Sequence, residues 1–121
     1  MVARVRRQRF TRAAGLARAG DLQSPRFGLL PVADLRAVAH KQLYQMNPNI
    51  KLYPSHTELF ADCPTDVVCV STFPPSHRGV TLDALELNLA GILVEKPLGD
   101  TAAAGCDILH AIKARGLPVA V

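Results

Sequence analysis

The stretch Asp66-Val67-Val68-Cys69-Val70-Ser71 indicates the fold of this chain most clearly. It is apolar on both faces and rich in valine, which is typical of a strand that helices cover on both sides. A second apolar run, Gly91–Val94, follows after a segment with helical periodicity over residues 76–90. Strand, helix and strand at this spacing form a right-handed crossover, so the two strands are expected to lie parallel in one sheet.

The same alternation continues toward the C-terminus. Asp100 is a candidate N-cap for a helix over residues 101–115, and Gly116 stands where a glycine commonly ends a helix. Residues 117–121 begin another strand. The pattern predicts an α/β domain with a parallel sheet, helices on both faces and an incomplete architecture at both ends.

Upstream, Ser55 and Glu58 have the spacing of a capping box and predict a short helix through Ala61, after a short strand over residues 50–53. The preceding segment fits two arrangements. In the favoured one, residues 35–39 form a strand and residues 41–46 a helical fragment. In the other, residues 29–33 form the strand and residues 35–46 an amphipathic helix.

Composition limits the chain to one small domain, since it has 121 residues, of which 49% are apolar. The net charge of +4 originates in the first 20 residues, which hold six arginines and no acid, leaving 8 of the 14 basic side chains against 10 acidic ones elsewhere. Residues 1–14 are therefore interpreted as a basic leader or a degraded first strand. No motif that reads nucleic acid accompanies this charge.

Three cysteines, Cys63, Cys69 and Cys106, form no Cys-x-x-Cys pair, so neither a disulfide framework nor a metal site is expected. This cysteine usage favours a reducing, cytoplasmic compartment. No apolar run reaches the roughly 18 residues that cross a bilayer, so no membrane partner is expected.

Two loops are predicted at the carboxyl ends of the strands, where open parallel sheets bind their ligands. The first is Ser71-Thr72-Phe73-Pro74-Pro75-Ser76-His77 and the second is Glu95-Lys96-Pro97-Leu98. A loop of hydroxyl groups and prolines offers donors and an apolar wall to a planar ring. A lysine beside that wall can polarise a carbonyl group or donate to ribose hydroxyls.

These two loops, in order on consecutive strands, resemble the signature of the glucose–fructose oxidoreductase/inositol dehydrogenase family (Gfo/Idh/MocA). The resemblance spans roughly residues 53–121 and implies a Rossmann domain over residues 15–121, without the family's C-terminal substrate domain. Phe73 departs from it, because proline or asparagine usually follows the threonine in that family.

The resemblance implies roles for the residues of both loops. Lys96 is the implied catalytic lysine, between nicotinamide ribose and substrate, and Pro97 positions it through a bond that is often cis in the family. Glu95 is a structural and cofactor-side contact. The other implied cofactor-binding residues belong to the first loop: Ser71, Thr72, Pro74, Pro75 and His77. For His77, an alternative is a residue at the start of the helix that caps the loop.

The resemblance is weaker in the N-terminal third, where Gly15-Leu16-Ala17-Arg18-Ala19-Gly20 outlines a dinucleotide-binding loop. Gly15 and Gly20 match that pattern, but Ala17 replaces the glycine that lets the backbone approach the pyrophosphate. The ribose-binding acid is expected about 20 residues further on, where His40 stands; Asp34 is the other candidate. Histidine there hints at NADP rather than NAD. Residues 21–30 are a candidate short helix.

Three functions follow from these observations. The first is an oxidoreductase module that transfers a hydride between NAD or NADP and a sugar, polyol or related alcohol. The second is a truncated, inactive relative, or a regulatory or split-enzyme module that pairs with a separate substrate-domain chain or forms a homo-oligomer. The third, nucleic-acid binding through the arginine-rich start, is the least favoured.

Overall fold

The structure is a computed structural model that describes residues 10–13, 32–33, 37–46, 48–49 and 51–121. Within these residues, six strands form one parallel sheet in the order β3-β2-β1-β4-β5-β6, which is the strand order of a Rossmann fold. The strands are β1 (Phe10–Ala13), β2 (Val32–Ala33), β3 (Leu52–Tyr53), β4 (Val67–Val70), β5 (Gly91–Val94) and β6 (Val119–Ala120). The helices are α1 (Ala37–Met46), α2 (His56–Asp62), α3 (Pro74–Leu85) and α4 (Ala102–Arg115). The predicted α/β class with a parallel sheet is confirmed.

The centre of the sheet is the pair β4 and β5, which the apolar runs of the sequence predicted. β4 lies between β1 and β5, with Val68 beside Thr11 on one side and beside Ile92 on the other. Val68, Val70 and Val94 are fully buried. The main core cluster packs side chains of α3 and α4 against these strands, among them Ala84 and Ile108.

The favoured arrangement of residues 35–46 was wrong. Residues 37–46 form helix α1, and the strand before it is β2, which ends at Ala33, so the alternative register is the observed one. β2 pairs with β1 and β3, and Ala33 is buried. These pairings between distant segments decide the register, and local sequence does not show them.

Three predicted helix boundaries also needed correction. α3 begins at Pro74 rather than Ser76 and ends at Leu85 rather than at residue 90. α4 is capped by Thr101 instead of Asp100, because the Thr101 hydroxyl accepts a 3.1 Å hydrogen bond from the amide of Ala104. Gly116 ends this helix with a φ of 61°, as predicted.

The sheet begins at Phe10, inside the segment for which the sequence left a leader and a degraded first strand open. Residues 10–13 are a strand, and it lies between β2 and β4. The candidate helix over residues 21–30 lies outside the described residues.

At the β3 edge, a charged cluster joins β3 to the end of α2. Asp62 accepts hydrogen bonds from Lys51 and from the Tyr53 hydroxyl, and Tyr53 also contacts the Cys63 sulfur at 3.0 Å. Burial, together with the bonds to Asp62 and Cys63, raises the pKa of Tyr53 to about 12. The hydrogen bond between Lys51 and Asp62 lowers the pKa of Asp62 and raises the pKa of Lys51. This cluster fastens the edge strand to the helix that follows it.

Candidate functional site

The two predicted loops leave the sheet at the same edge. Val70, the last residue of β4, lies beside Val94, the last residue of β5, in a parallel pairing. The pairing continues one step beyond the strands, since the amide of Glu95 donates to the carbonyl of Val70 at 2.8 Å. Both loops therefore start at the same level of neighbouring strands, at the carboxyl edge where parallel sheets bind ligands.

His77 links the two loops. Its side chain is only 1% exposed, and it lies in the first turns of α3. One ring nitrogen, Nε2, lies 2.9 Å from the carbonyl oxygen of Thr72, and the other, Nδ1, lies 3.0 Å from that of Pro97. The alternative prediction, a residue at the helix start that binds the loop, describes this geometry better than a direct cofactor contact does.

Lys96 extends from the second loop into solvent. Its ammonium forms no ion pair within the described residues, and its side chain is exposed, as are those of Glu95 and Pro97. The peptide bond between Lys96 and Pro97 is cis, as the resemblance implied. Glu95 turns back on the loop, where its carboxylate accepts a long, 3.4 Å hydrogen bond from the Lys96 amide. Lys96 is thus an exposed cation on the second loop, without an ion pair to any described residue.

The first loop presents an exposed aromatic ring, that of Phe73, beside two prolines. Phe73 is 77% exposed, while Thr72 and Pro74 are half-buried and Pro75 is exposed. Ser71 is half-buried at the start of the loop. An aromatic side chain this exposed has a face available to a planar partner.

The first three helical positions of α3 offer no free amide to a phosphate. Pro74 and Pro75 occupy the first two helical positions and have no N–H group. The amide of Ser76, at the third, donates to the carbonyl of Phe73 at 2.9 Å, and the Ser76 hydroxyl donates to the same oxygen at 2.7 Å. Helix N-termini bind anions through unpaired amides, so this one is unsuited to a pyrophosphate.

The remaining predicted site residues are not brought into this site by the described structure. Gly15, Ala17 and Gly20 lie outside the described residues, as does Asp34. His40 is described, but it lies within α1 and not at the end of a strand, so the reason for choosing it does not hold. Asp34 directly follows Ala33, the last residue of β2, in the sequence.

Sequence reasoning missed Gly99, which brings the second loop onto α4. A Cβ atom at Gly99 would lie 2.7 Å from the amide nitrogen of Gly105 and 3.0 Å from the Cβ of Ala104. The only signal in the sequence is a glycine shortly before a helix cap, and that is too common to be specific.

Within the described residues, no group of three or more histidine, cysteine, aspartate or glutamate side chains is arranged to hold a metal ion. No helix in the described part of the chain is long and apolar enough to cross a membrane.

Comparison with solved structures shows the same fold. The chain is 20% identical to the WlbA dehydrogenase of Chromobacterium violaceum, solved with NADH and UDP-GlcNAcA, with a TM-score of 0.80 over 95% of this chain and 35% of that one. The corresponding enzyme of Bordetella pertussis is 18% identical, with a TM-score of 0.78 over 95% and 38%. Myo-inositol 2-dehydrogenase of Lactobacillus plantarum is 16% identical, with a TM-score of 0.76 over 93% and 36%.

The chain spans little more than a third of the length of these enzymes. The comparison with curated proteins found no match. Among protein families, residues 13–121 match the one described as an oxidoreductase family with an NAD-binding Rossmann fold. That match takes in both loops and nearly the whole sheet, and the chain therefore belongs to the Gfo/Idh/MocA oxidoreductase family, as its NAD-binding Rossmann domain.

Proposed function

We propose that this chain is the cofactor-binding domain of an enzyme that transfers a hydride between NAD and a sugar, polyol or related alcohol. One observation carries the proposal: the Thr72 loop and the Lys96 loop start together at the carboxyl edge of β4 and β5 and are joined by His77. The loop with the exposed Lys96 and the loop with the exposed Phe73 thus share the edge of the sheet at which this fold binds dinucleotides, which supports the proposal.

The composition of the first loop supports the nicotinamide end of the cofactor at this position. Because Pro74 and Pro75 leave the start of α3 without free amides, a pyrophosphate gains little there. A planar, weakly polar ring fits the wall of Phe73 and Pro74 better. The pyrophosphate then belongs at the loop of Gly15 and Gly20, which the sequence places directly after β1.

The bound nicotinamide supplies a carbon atom that accepts or donates the hydride. Lys96 contributes what a cationic donor can: its ammonium donates a hydrogen bond to the alcohol oxygen and stabilises the negative charge that develops there. Glu95 holds the backbone of the loop through its contact with the Lys96 amide. Thr72 and the prolines exclude water from one side of the ring.

We propose Asp34 as the residue that binds the adenosine ribose, in place of His40. Asp34 directly follows β2, the strand that lies beside β1. In Rossmann folds, the acidic residue that binds the ribose comes about 20 residues after the glycine loop, in this same half of the sheet. A carboxylate accepts hydrogen bonds from both ribose hydroxyls and repels the negative charge of a 2′-phosphate. This choice favours NAD over NADP, the reverse of the weak hint that His40 gave.

The substrate class is proposed from the solved relatives, which include an inositol dehydrogenase and enzymes solved with a nucleotide sugar. Their additional length supports a separate substrate-binding part as the partner of this domain. We therefore expect no dehydrogenase turnover from the 121-residue chain with any polyol; measurable turnover would contradict this division of labour. Cys63, Cys69 and Cys106, all within the described residues, form no disulfide bond, which supports the proposal of a reducing, cytoplasmic setting.

Calorimetric titration with NADH and NADPH tests the proposal directly. Saturable binding of NADH, with weaker binding of NADPH, is expected. Lys96→Met is expected to weaken NADH binding and to leave the binding of ADP-ribose, which lacks nicotinamide, unchanged. Failure to bind either dinucleotide at millimolar concentration refutes the proposed function.

A second candidate, a relative that no longer binds cofactor, is favoured by one residue. Ala17 adds a methyl group where the backbone must approach the pyrophosphate. If the unmodified chain fails to bind NADH and the Ala17→Gly variant binds it, the domain has lost its cofactor through this residue.

A further inference from the structure

The side chain of His77 is unusual in this core because it is polar and almost completely buried. It is 1% exposed, and the other buried polar side chain among the described residues is that of Thr81. Its two ring nitrogens face two main-chain carbonyl oxygens, at 2.9 Å and 3.0 Å, and these are separated by 25 positions in the sequence. A buried polar group makes such bonds because leaving it without partners costs free energy.

Both carbonyl groups belong to the loops that form the site. One is that of Thr72, next to Phe73, and the other is that of Pro97, next to Lys96. A carbonyl oxygen only accepts hydrogen bonds, so the ring is the donor wherever a bond forms. The imidazole therefore spans the gap between the loops, and each ring nitrogen that carries a hydrogen donates to the carbonyl oxygen that it faces.

Other contacts hold the two loops less directly. β4 and β5 set where the loops start, through the hydrogen bond from the Glu95 amide to the carbonyl of Val70. Beyond that point Glu95, Lys96 and Pro97 are all exposed, so few packing contacts restrain them. Removing the ring would leave the carbonyl of Pro97 without this donor and the loop attached at its start and at Gly99.

We infer that His77 is the positioning residue of the nicotinamide pocket: it holds the loop that carries Lys96 at a fixed distance from the loop of Thr72 and Phe73, without touching the cofactor. This inference rests on the proposed function. It predicts that loss of the ring nitrogens weakens recognition of the nicotinamide end and leaves recognition of the adenosine end intact.

The test compares two ligands on the 121-residue chain. His77→Phe keeps an aromatic ring of similar size and removes both nitrogens, while His77→Asn keeps a side-chain donor. His77→Phe is expected to weaken NADH binding by about tenfold, which is equivalent to 1.4 kcal/mol. ADP-ribose binding should change less than about twofold, which is within the scatter of additive effects. His77→Asn should recover part of the NADH affinity.

The outcomes separate this inference from the proposed function. If the unmodified chain binds neither ligand, the proposed function fails. If it binds NADH and His77→Phe binds NADH equally well, the positioning role is refuted while the proposed function stands. Equal weakening of both ligands also refutes it, because a general loss of structure would do the same.

A measurement on the unmodified chain covers the case in which neither variant folds. With ¹⁵N-labelled histidine, the ring resonances of His77 are expected to shift when NADH binds and to stay in place when ADP-ribose binds. Identical spectra with both ligands overturn the inference.

Discussion

Replacing Gly99 with alanine should destabilise the domain and displace the second loop, which carries Lys96. The new Cβ would lie 2.7 Å from the Gly105 amide nitrogen and 3.0 Å from the Ala104 carbonyl carbon. Both are main-chain atoms of α4, so a side-chain rotation cannot relieve the overlap. Either the helix or the loop must move.

The magnitude follows from the packing of that helix. Ala104 and Ile108 of α4 are buried in the core, so moving α4 disturbs its contacts with the sheet. Overpacking of this kind typically costs about 1–3 kcal/mol. With a urea dependence of about 1–3 kcal/mol per molar, the midpoint of unfolding should fall by roughly 1 M.

Gly79→Ala is the matched control. Gly79 lies inside α3, and a Cβ atom there would meet nothing within 4 Å. Alanine in a helix interior is favoured over glycine by about 0.5–1 kcal/mol, so this variant should gain stability.

Urea unfolding followed by circular dichroism measures all three proteins, and NADH titration reports on the loop. Gly99→Ala should unfold at lower urea than the unmodified chain and bind NADH more weakly. A Gly99→Ala protein as stable as Gly79→Ala would refute the close approach of the loop to α4.

The remaining predictions concern a buried hydroxyl, a titrating cluster and cofactor choice. Thr81→Val should raise the unfolding midpoint by the equivalent of about 1 kcal/mol, since the Thr81 hydroxyl is buried without a hydrogen-bond partner in the described structure; a lower midpoint would indicate a partner. The lowered pKa of Asp62 means that its carboxylate stabilises the fold above its unfolded pKa and loses this effect as pH falls through the folded value. The free energy of unfolding should therefore fall less at acid pH in Asp62→Asn than in the unmodified chain, and identical curves for the two proteins would exclude this contribution. The neutral Tyr53 hydroxyl stabilises the fold below pH 10 and should lose that effect as pH rises toward about 12, so Tyr53→Phe should flatten the alkaline curve. Asp34→Asn should reduce the preference for NADH over NADPH by about tenfold, equivalent to 1.4 kcal/mol, and an unchanged ratio would remove Asp34 from the ribose site.

The sheet centre was predictable because its signals are local. β4 and β5 each contain a short apolar run, and Gly91–Val94 was predicted with the bounds that the structure has. Buried parallel strands need apolar residues on both faces, and few other elements do. The end of α4 at Gly116 was equally local, since a left-handed φ favours glycine.

The end of α3 was not predictable, because a distant residue stabilises it. Leu87 and Leu89 continue an apolar pattern beyond the last helical residue, Leu85, and Leu89 is buried without being helical. Arg115, at the end of α4, donates to the carbonyl groups of Leu85 and Leu87. The guanidinium group of a residue on another helix thus donates to carbonyl groups that the end of α3 leaves without a helical partner. Nothing in the sequence near Leu85 predicts this contact.

The role of His77 illustrates what a motif does and does not reveal. His77 is the last residue of the first predicted loop, and the sequence left two interpretations of it open. Both of its partners are main-chain carbonyl groups. Because every residue has a main-chain carbonyl group, no pattern of side chains in the sequence distinguishes the two interpretations. The prolines of the same loop matter because of a group that they lack. Pro74 and Pro75 have no N–H group to donate to a phosphate at the first two positions of α3. The proposed nicotinamide pocket rests on both features, a buried histidine that joins the two loops and a helix whose first two positions lack amides. On that proposal, the other half of the dinucleotide finds its hydrogen-bond donors nearer to β1 and β2.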